Sequence, residues 1–303
     1  MRIVTHNGVF HADEVFAVAV VQYLNKDAYV VRSRDPEEIE LADIVIDVGG
    51  VYDAERGFFD HHQRGGVIMS GRSYSAVGLV WKHYGSDTIN KYVVDNNMDT
   101  HPALVFDAVR LVDERLIMAL DFVDVGGNVE DAKRRTAAGL EKIPLYGVSN
   151  AISACNPHPL AEGEMAKLQE EGFKEALSLA TGILLREVKN ALLDVISRSI
   201  VESLTERSNN VMVMEKFVPW TYHLTKEKHN KIRRVMWYDE LSDKWMVQKT
   251  NWGEDFPEEW WGRRGEELNL ITGRDDAVFC HPNGFICGFV SKESAIWAAY
   301  QSD

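Results

Sequence analysis

Cysteine is scarce and scattered in this chain. Three residues, Cys155, Cys280 and Cys287, are spread over 303 positions. None falls in a Cys-x-x-Cys pair, which argues against a zinc ribbon. Scattered thiols fit a reducing cytosol better than a disulfide scaffold, so a cytoplasmic location is expected. No apolar run approaches the ~20 residues of a membrane span, and no membrane partner is expected. The opening residues Met1-Arg2-Ile3-Val4-Thr5-His6 lack the charged segment and apolar core of a secretory signal, and they do not resemble a transit segment. They read as entry straight into a strand. Positive charge is also short: 33 Lys and Arg face 47 Asp and Glu, for a net charge of -14. That balance disfavours broad capture of duplex nucleic acid, which needs a basic face. It is compatible with a metal site, whose cations cancel clustered carboxylates. A short single strand needs only a small basic groove.

Apolar residues make up 45% and charged residues 26%, enough for two buried cores. Arg2 to Thr5, Tyr29 to Arg32 and Asp43 to Val48 read as strands. Their apolar centres suggest burial on both faces, as in a parallel sheet. Ala12 to Asn25 repeats apolar residues at a spacing of four and reads as a helix. Ser73 to Tyr84 and Ala103 to Val123 read as further helices. Glu162 to Arg207 is a long helical stretch, read as two helices or one broken near Gly182. After Ser208 the pattern changes: Val211 to Met214, Arg233 to Tyr238 and Lys244 to Lys249 read as an antiparallel meander rich in Trp. The expected fold class is α/β. A mostly parallel-sheet domain with long connecting helices spans 1–207, and a smaller α+β domain spans 208–303. There is no internal repeat or low-complexity tract.

Four clusters fall near the carboxyl ends of the expected strands, where open α/β sheets bind ligands. They are His6-x4-His11-x-Asp13, Asp47 before Gly49-Gly50, Asp60-His61-His62, and Asp121 with Asp124. Imidazole and carboxylate are ligands for Mn²⁺, Mg²⁺ and Zn²⁺. A two-metal site gathers several such groups around ions ~3.5–4 Å apart, and strand ends bring distant residues to one rim. Each residue also has a plainer reading. Asp47 could cap a turn, Asp13-Glu14 could complement a helix dipole, and Asp121 or Asp124 could end a solvated helix. Asp60-His61-His62 is harder to explain that way.

These residues resemble the DHH phosphoesterase superfamily, and within it the melanocyte-proliferating-gene (MYG) exonuclease family. The quotable stretches are His6 to Glu14, Asp43 to Gly50, Phe59 to Gln63 and Tyr74 to Gly85. Later ones are Trp260 to Arg263, Phe279 to His281 and Gly284 to Ile286, so the match covers both halves. The resemblance implies two divalent cations, Mn²⁺ first and Mg²⁺ second. It implies that His6, His11 and Asp47 hold one ion, and that Asp13, Asp47, His61 and Asp121 hold the other, with Asp124 as the substitute for Asp121. It implies that His62 touches the substrate phosphate and that Asp60 orients His61; His62, Asp60 and Asp47 are then the catalytic set. The chain departs from the pattern in three places. Asp usually stands where His11 is. The fourth motif, Asp121 to Gly126, lacks the expected Asp-Asn-Gly. The Gly-Gly-Gly-His substrate loop is absent, and Arg263, Arg264 and His281 with Gly284 are candidates for its role.

Trp260 to Arg264 sets aromatic faces beside guanidinium forks, a composition suited to bases and phosphates. The tryptophans fit a domain core equally well. Lys231 to Arg234 and Lys133 to Arg135 read as solvated faces, and Lys82-His83 as near the site by resemblance. The expectation is a two-metal phosphodiesterase, and the resemblance implies a 3′-5′ exoribonuclease releasing mononucleotides from single-stranded RNA. Two alternatives stay open: a hydrolase of oligonucleotides, cyclic dinucleotides or pyrophosphate, and a metal-dependent binding protein without turnover. The oligomeric state is open, a homodimer included.

Overall fold

The structure is a computed structural model that describes residues 1–125 and 147–301. Lys133 to Arg135 and Gly126 of the fourth motif lie outside those residues. Two compact units divide the chain, Met1–Leu193 and Asp194–Asp303. Their division falls inside a continuous helix, Met165–Arg207, whereas the sequence reading set it at 207/208.

The first unit is built on a five-stranded sheet. Its strands are β1 (Arg2–Thr5), β2 (Tyr29–Arg32), β3 (Ile44–Ile46), β4 (Tyr52–Asp53) and β5 (Phe58–Phe59), in the order β2-β1-β3-β5-β4. All pairings are parallel except the edge strand β4 against β5. α1 (Ala12–Leu24) crosses from β1 to β2 and is buried at every position from Ala12 to Val21. A helix buried on all sides must be enclosed; α1 packs against β3, α3 (Ala76–Asp95) and α5 (Met118–Asp124), and the short α2 (Pro36–Glu40) precedes β3. The hairpin of β6 (Val67–Met69) and β7 (Arg72–Tyr74) precedes α3. The sequence reading placed Ser73 and Tyr74 inside that helix. The helix starts instead at Ala76, after Ser75.

The expected helix from Ala103 to Val123 forms as α4 (Pro102–Val112), a π-helical turn (Asp113–Ile117) and α5. Gly182 does not break the helix that holds it. One glycine costs roughly 1 kcal/mol relative to alanine, too little to interrupt a helix with Ala180, Leu184 and Val188 buried along it.

In the second unit, β8 (Val211–Met214), β9 (Arg234–Asp239), β10 (Lys244–Lys249), β11 (Ala277–Cys280) and β12 (Ile286–Phe289) order as β11-β12-β10-β9-β8. The expected meander holds for β9 and β10, but β8 pairs with β9 in parallel. Met212, Met214 and Trp220 cover one face together with Val201. Phe256, Trp260 and Phe289 fill the other. No helix among the described residues is long and apolar enough to cross a membrane.

Candidate metal centre

β1 delivers His6 to the carboxyl edge of the first sheet, and α1 starts six residues later. The turn between them needs Gly8, whose φ is +89°, a region open mainly to glycine. Two distant residues fix this turn. Arg32 at the end of β2 donates from Nη2 to Gly8 O at 2.6 Å. Asn156 accepts from Phe10 N at 3.1 Å and donates to Phe10 O at 2.9 Å. The turn thus sets His6 opposite the first turn of α1, where the helix dipole favours acidic side chains.

His6 donates from Nδ1 to Asn7 O at 3.1 Å, which leaves Nε2 facing inward. That nitrogen lies 3.0 Å from Glu14 Oε1 and 3.4 Å from Asp47 Oδ2. Burial opposes protonation of His6, but Asp47 and Glu14 outweigh it and lift its pKa to about 10. Glu14 also accepts from His11 N at 2.9 Å.

Asp47 follows β3 with φ at +57°, a left-handed conformation that Asp tolerates better than most residues. It aims both carboxylate oxygens at imidazoles. Oδ1 is 3.3 Å from His61 Nε2 and Oδ2 faces His6. Burial pushes its pKa up, but the two imidazoles bring it down to about 2. His61 Nε2 also lies 3.1 Å from Asp124 Oδ2. These approaches are close, yet His61 Nε2 is not aligned for a hydrogen bond with any of them. Burial again opposes the charge on His61, and Asp124 and Asp47 raise its pKa to about 10.

Asp13 is buried, and among the described residues neither of its carboxylate oxygens meets a hydrogen-bond donor. Burial, then Asp47, Glu14 and Asp124, drive its pKa well above the usual carboxylate range. Ligand atoms lie within 4.8 Å of one another in four overlapping groups: His6, His11, Glu14; Asp47, His61, His62; His11, Asp13, Asp124; and Asp13, Glu14, Asp47. Unpaired buried oxygens are costly. The Asp13 oxygens, Asp47 Oδ1 and His61 Nε2, without partners among the described residues, form a donor set that a divalent cation satisfies, so the residues fit such an ion.

Two sequence assignments change here. Asp121 does not join the cluster. Its Oδ1 accepts from Ser75 N, Ser75 Oγ and Gly78 N at 3.1, 2.9 and 3.1 Å, and its Oδ2 accepts from Arg72 Nη2 at 2.6 Å. Burial raises its pKa, against the opposing pull of Arg72 and Ser75. Arg72 in turn bonds Asp113 at 2.6 Å. Asp124, one turn further along, faces the cluster. Asp60, expected behind His61, orients His62: its Oδ1 accepts from His62 Nδ1 at 2.7 Å and its Oδ2 from Gly50 N at 2.6 Å. The His62 side chain is left 61% exposed, and its Nε2 makes no hydrogen bond to a described residue.

Sequence reasoning passed over Glu14, Arg32, Arg72, Ser75 and Asn156. Glu14 stands beside Asp13 and carried a visible signal. Asn156 lies 146 positions from Phe10 and carried none.

In the second unit, Trp260 is buried between Phe256 and Trp297, with ring centroids at 5.8 and 5.5 Å. It belongs to the core and offers no face to a base. Trp261 donates from Nε1 to Phe256 O at 2.7 Å. Arg263 and Arg264 are exposed, and Arg263 reaches Glu267 at 3.4 Å. His281 packs beside Phe285 at 4.4 Å and accepts from Asn283 N. The Lys231 to Arg234 run is not a solvated face. Arg234 is buried over the Phe256 ring and donates to the carbonyls of Asp255 and Gln301.

A sequence profile described as Uncharacterised protein family (UPF0160) matches residues 2–302. The MYG1 protein of Dictyostelium discoideum is 31% identical over 330 residues, covering 100% of this chain and 96% of its own. The MYG1 protein of Saccharomyces cerevisiae is 32% identical over 336 residues, covering 99% and 95%. The MYG1 exonuclease of Homo sapiens is 29% identical over 334 residues, covering 97% and 84%. A crystal structure of RecJ in complex with Mn²⁺ from Thermus thermophilus aligns at a TM-score of 0.27 and 15% identity, over 98% of this chain and 50% of that one.

Proposed function

The chain belongs to the MYG1_exonuc family (UPF0160), and on that footing we propose that it is a metal-dependent exonuclease, a hydrolase of phosphodiester bonds. The observation that carries this reading is Asp13, a buried carboxyl whose two oxygens meet no donor among the described residues, beside Asp47 and His61. His6, His11 and Asp47 would hold one divalent cation, with Glu14 beside them. Asp13, Asp47, His61 and Asp124 would hold the other, Mn²⁺ or Mg²⁺ in each case. Such ions supply a Lewis acid for the phosphate and an activated water. Asp47, with one oxygen toward His6 and the other toward His61, would be shared by both ions. Asp60 fixes the proton of His62 on Nδ1, and the exposed imidazole contacts the substrate phosphate. Glu14 keeps His6 Nε2 turned inward.

The substrate we propose is the 3′ end of single-stranded RNA, released as nucleoside monophosphates. The MYG1 exonuclease of Homo sapiens carries an exonuclease name; the RNA, its polarity and a cytoplasmic setting are our extension. We assign catalysis to the first unit and substrate contacts to the second through Arg263, Arg264 and His281. The net charge of -14 favours a second reading, a small-substrate phosphohydrolase, because an acidic surface repels long polyanions.

Incubation with end-labelled RNA, DNA and pyrophosphate, with Mn²⁺, Mg²⁺ or EDTA, separates these readings. We expect metal-dependent release of mononucleotides from RNA, and none from Asp47→Ala, which loses a ligand shared by both ions. Full activity in that variant with unchanged metal content would sink the assignment; turnover of pyrophosphate alone would establish the second reading.

A further inference from the structure

A cavity of about 220 Å³ opens in the first unit between α3, α4 and β7. Arg72, which pairs with Asp121, stands in its wall. Its walls combine aromatic faces and cations: Arg72, Tyr74, Trp81, Lys82, Phe106 and Arg110. Phe106 is 73% exposed at the rim, with no described residue covering its ring. Trp81 closes the floor by donating from Nε1 to Val109 O at 3.2 Å. The Arg72 guanidinium covers one face of Tyr74 at 4.5 Å, which leaves that ring rigid.

The charge of this wall runs against that of the chain. Asp113 is the acidic residue among the lining groups, in a protein of net charge -14. Arg72 is already committed to Asp113 and Asp121. Arg110 pairs with Glu114 on the same helix, both about half exposed, a pair worth little and easily exchanged. Lys82 is exposed and has no ion pair or hydrogen bond to a described residue. The π-helical turn Asp113–Ile117 begins at this wall, and such turns recur at functional sites. The volume falls below the ~300–1,000 Å³ of pockets for drug-sized ligands, so it suits one flat ring system.

We propose that this cavity takes a single nucleotide unit, the base stacked on Phe106 and the phosphate bound by Lys82 and Arg110. Aromatic platforms beside cations are how single strands are gripped without sequence preference. The proposal rests on the nuclease reading for its ligand: it gives the strand a foothold on the unit that carries the metal centre.

The test is calorimetric titration of adenosine 5′-monophosphate into the full chain with EDTA present, which removes the metal centre from the measurement. Adenosine and ribose 5-phosphate are titrated in parallel. We expect saturable binding of the nucleotide in the millimolar range or tighter. Phe106→Ala should weaken the nucleotide and adenosine alike, by about five- to one-hundred-fold. Lys82→Ala should weaken the nucleotide and ribose 5-phosphate while leaving adenosine as in wild type. Lys26→Ala, an exposed charge elsewhere on the unit, should bind all three as wild type does. Absence of saturable nucleotide binding, or binding unchanged in both Phe106→Ala and Lys82→Ala, would overturn the site. If the expected pattern appears and the metal-loaded protein hydrolyses no nucleic acid, the cavity stands and the nuclease reading falls.

Discussion

Asp121 and Asp124 lie one helical turn apart and answer the same perturbation in opposite ways. Removing the Asp121 side chain strands four donors: Ser75 N, Ser75 Oγ, Gly78 N and Arg72 Nη2. Asp121 is about 2% exposed and Arg72 about one-fifth, so solvent screens this pair little. Breaking a buried ion pair from one side costs ~3–5 kcal/mol. For a unit the size of Met1–Leu193, each kcal/mol moves the midpoint by ~2–4 °C. Asp121→Ala should therefore lower the metal-free melting temperature by roughly 10 °C. Asp124→Ala removes a carboxylate that faces His61 and raises the pKa of Asp13. It should leave the metal-free midpoint nearly unchanged, and it should abolish the stabilisation that Mn²⁺ gives to the wild type. The assay is a thermal melt of each variant with EDTA and with Mn²⁺, paired with metal content by mass spectrometry. If Asp121→Ala keeps the wild-type melt in EDTA and loses its metal while Asp124→Ala retains both, the two roles are reversed.

Three further outcomes follow from the same geometry. His62→Ala should keep its metals and lose turnover by ~10²-fold, as expected for one donor to a phosphate in the transition state; metal loss equal to that of His61→Ala would make His62 a ligand. Gly78→Ala should destabilise the unit by ~1–3 kcal/mol, because its Cβ would fall 2.2 Å from Asp121 Oδ2; a wild-type melt would show that α3 shifts freely. His6 and His61 hold their protons up to about pH 10 in the metal-free protein, against ~6.5 when unfolded. Their contribution to stability is complete below pH 6.5 and is lost as pH rises toward 10. Metal binding must displace those protons, so calorimetry in buffers of different ionisation enthalpy should show proton release and tighter binding as pH rises. Metal binding with no proton release would contradict the assigned ligands.

Much of the first unit was legible because its signals are local. β-branched runs and the apolar rows of α1 set strands and helix, and the clustered His and Asp at strand ends marked the rim. Asp121 against Asp124 was not legible. Both sit in the same stretch, and the deciding partners, Ser75, Gly78 and Arg72, come from a hairpin and helix start more than 40 positions away. The hairpin was hidden because Arg72 to Tyr74 is too short to show a period of two. Asp60 was assigned to the wrong imidazole for a simpler reason: composition places it beside both histidines, and only backbone direction decides which one it reaches. Trp260 and Arg234 show the same limit, since aromatic and basic residues look alike in sequence whether they line a groove or fill a core.

The contrast between Asp121 and Asp13 carries the case for a metal centre further than any count of ligands. Both are buried carboxyls in one unit, and both lie near the same helices. Asp121 is treated as a structural charge must be treated: both of its oxygens meet donors. Asp13 meets none among the described residues. It is set among Asp47, Glu14 and Asp124, where two carboxylates ~4 Å apart repel by about 4 kcal/mol at an effective dielectric of 20. Without cations the cluster is balanced by protons, on His6, on His61 and on Asp13 itself. A packing role would be served better by apolar side chains of the same volume, which replace buried charges at little or no loss of stability. The unit shows with Asp121 that it can satisfy a buried carboxylate completely. That it leaves Asp13 bare, beside a bare Asp47 Oδ1 and a bare His61 Nε2, is the arrangement expected where the missing partner is an ion.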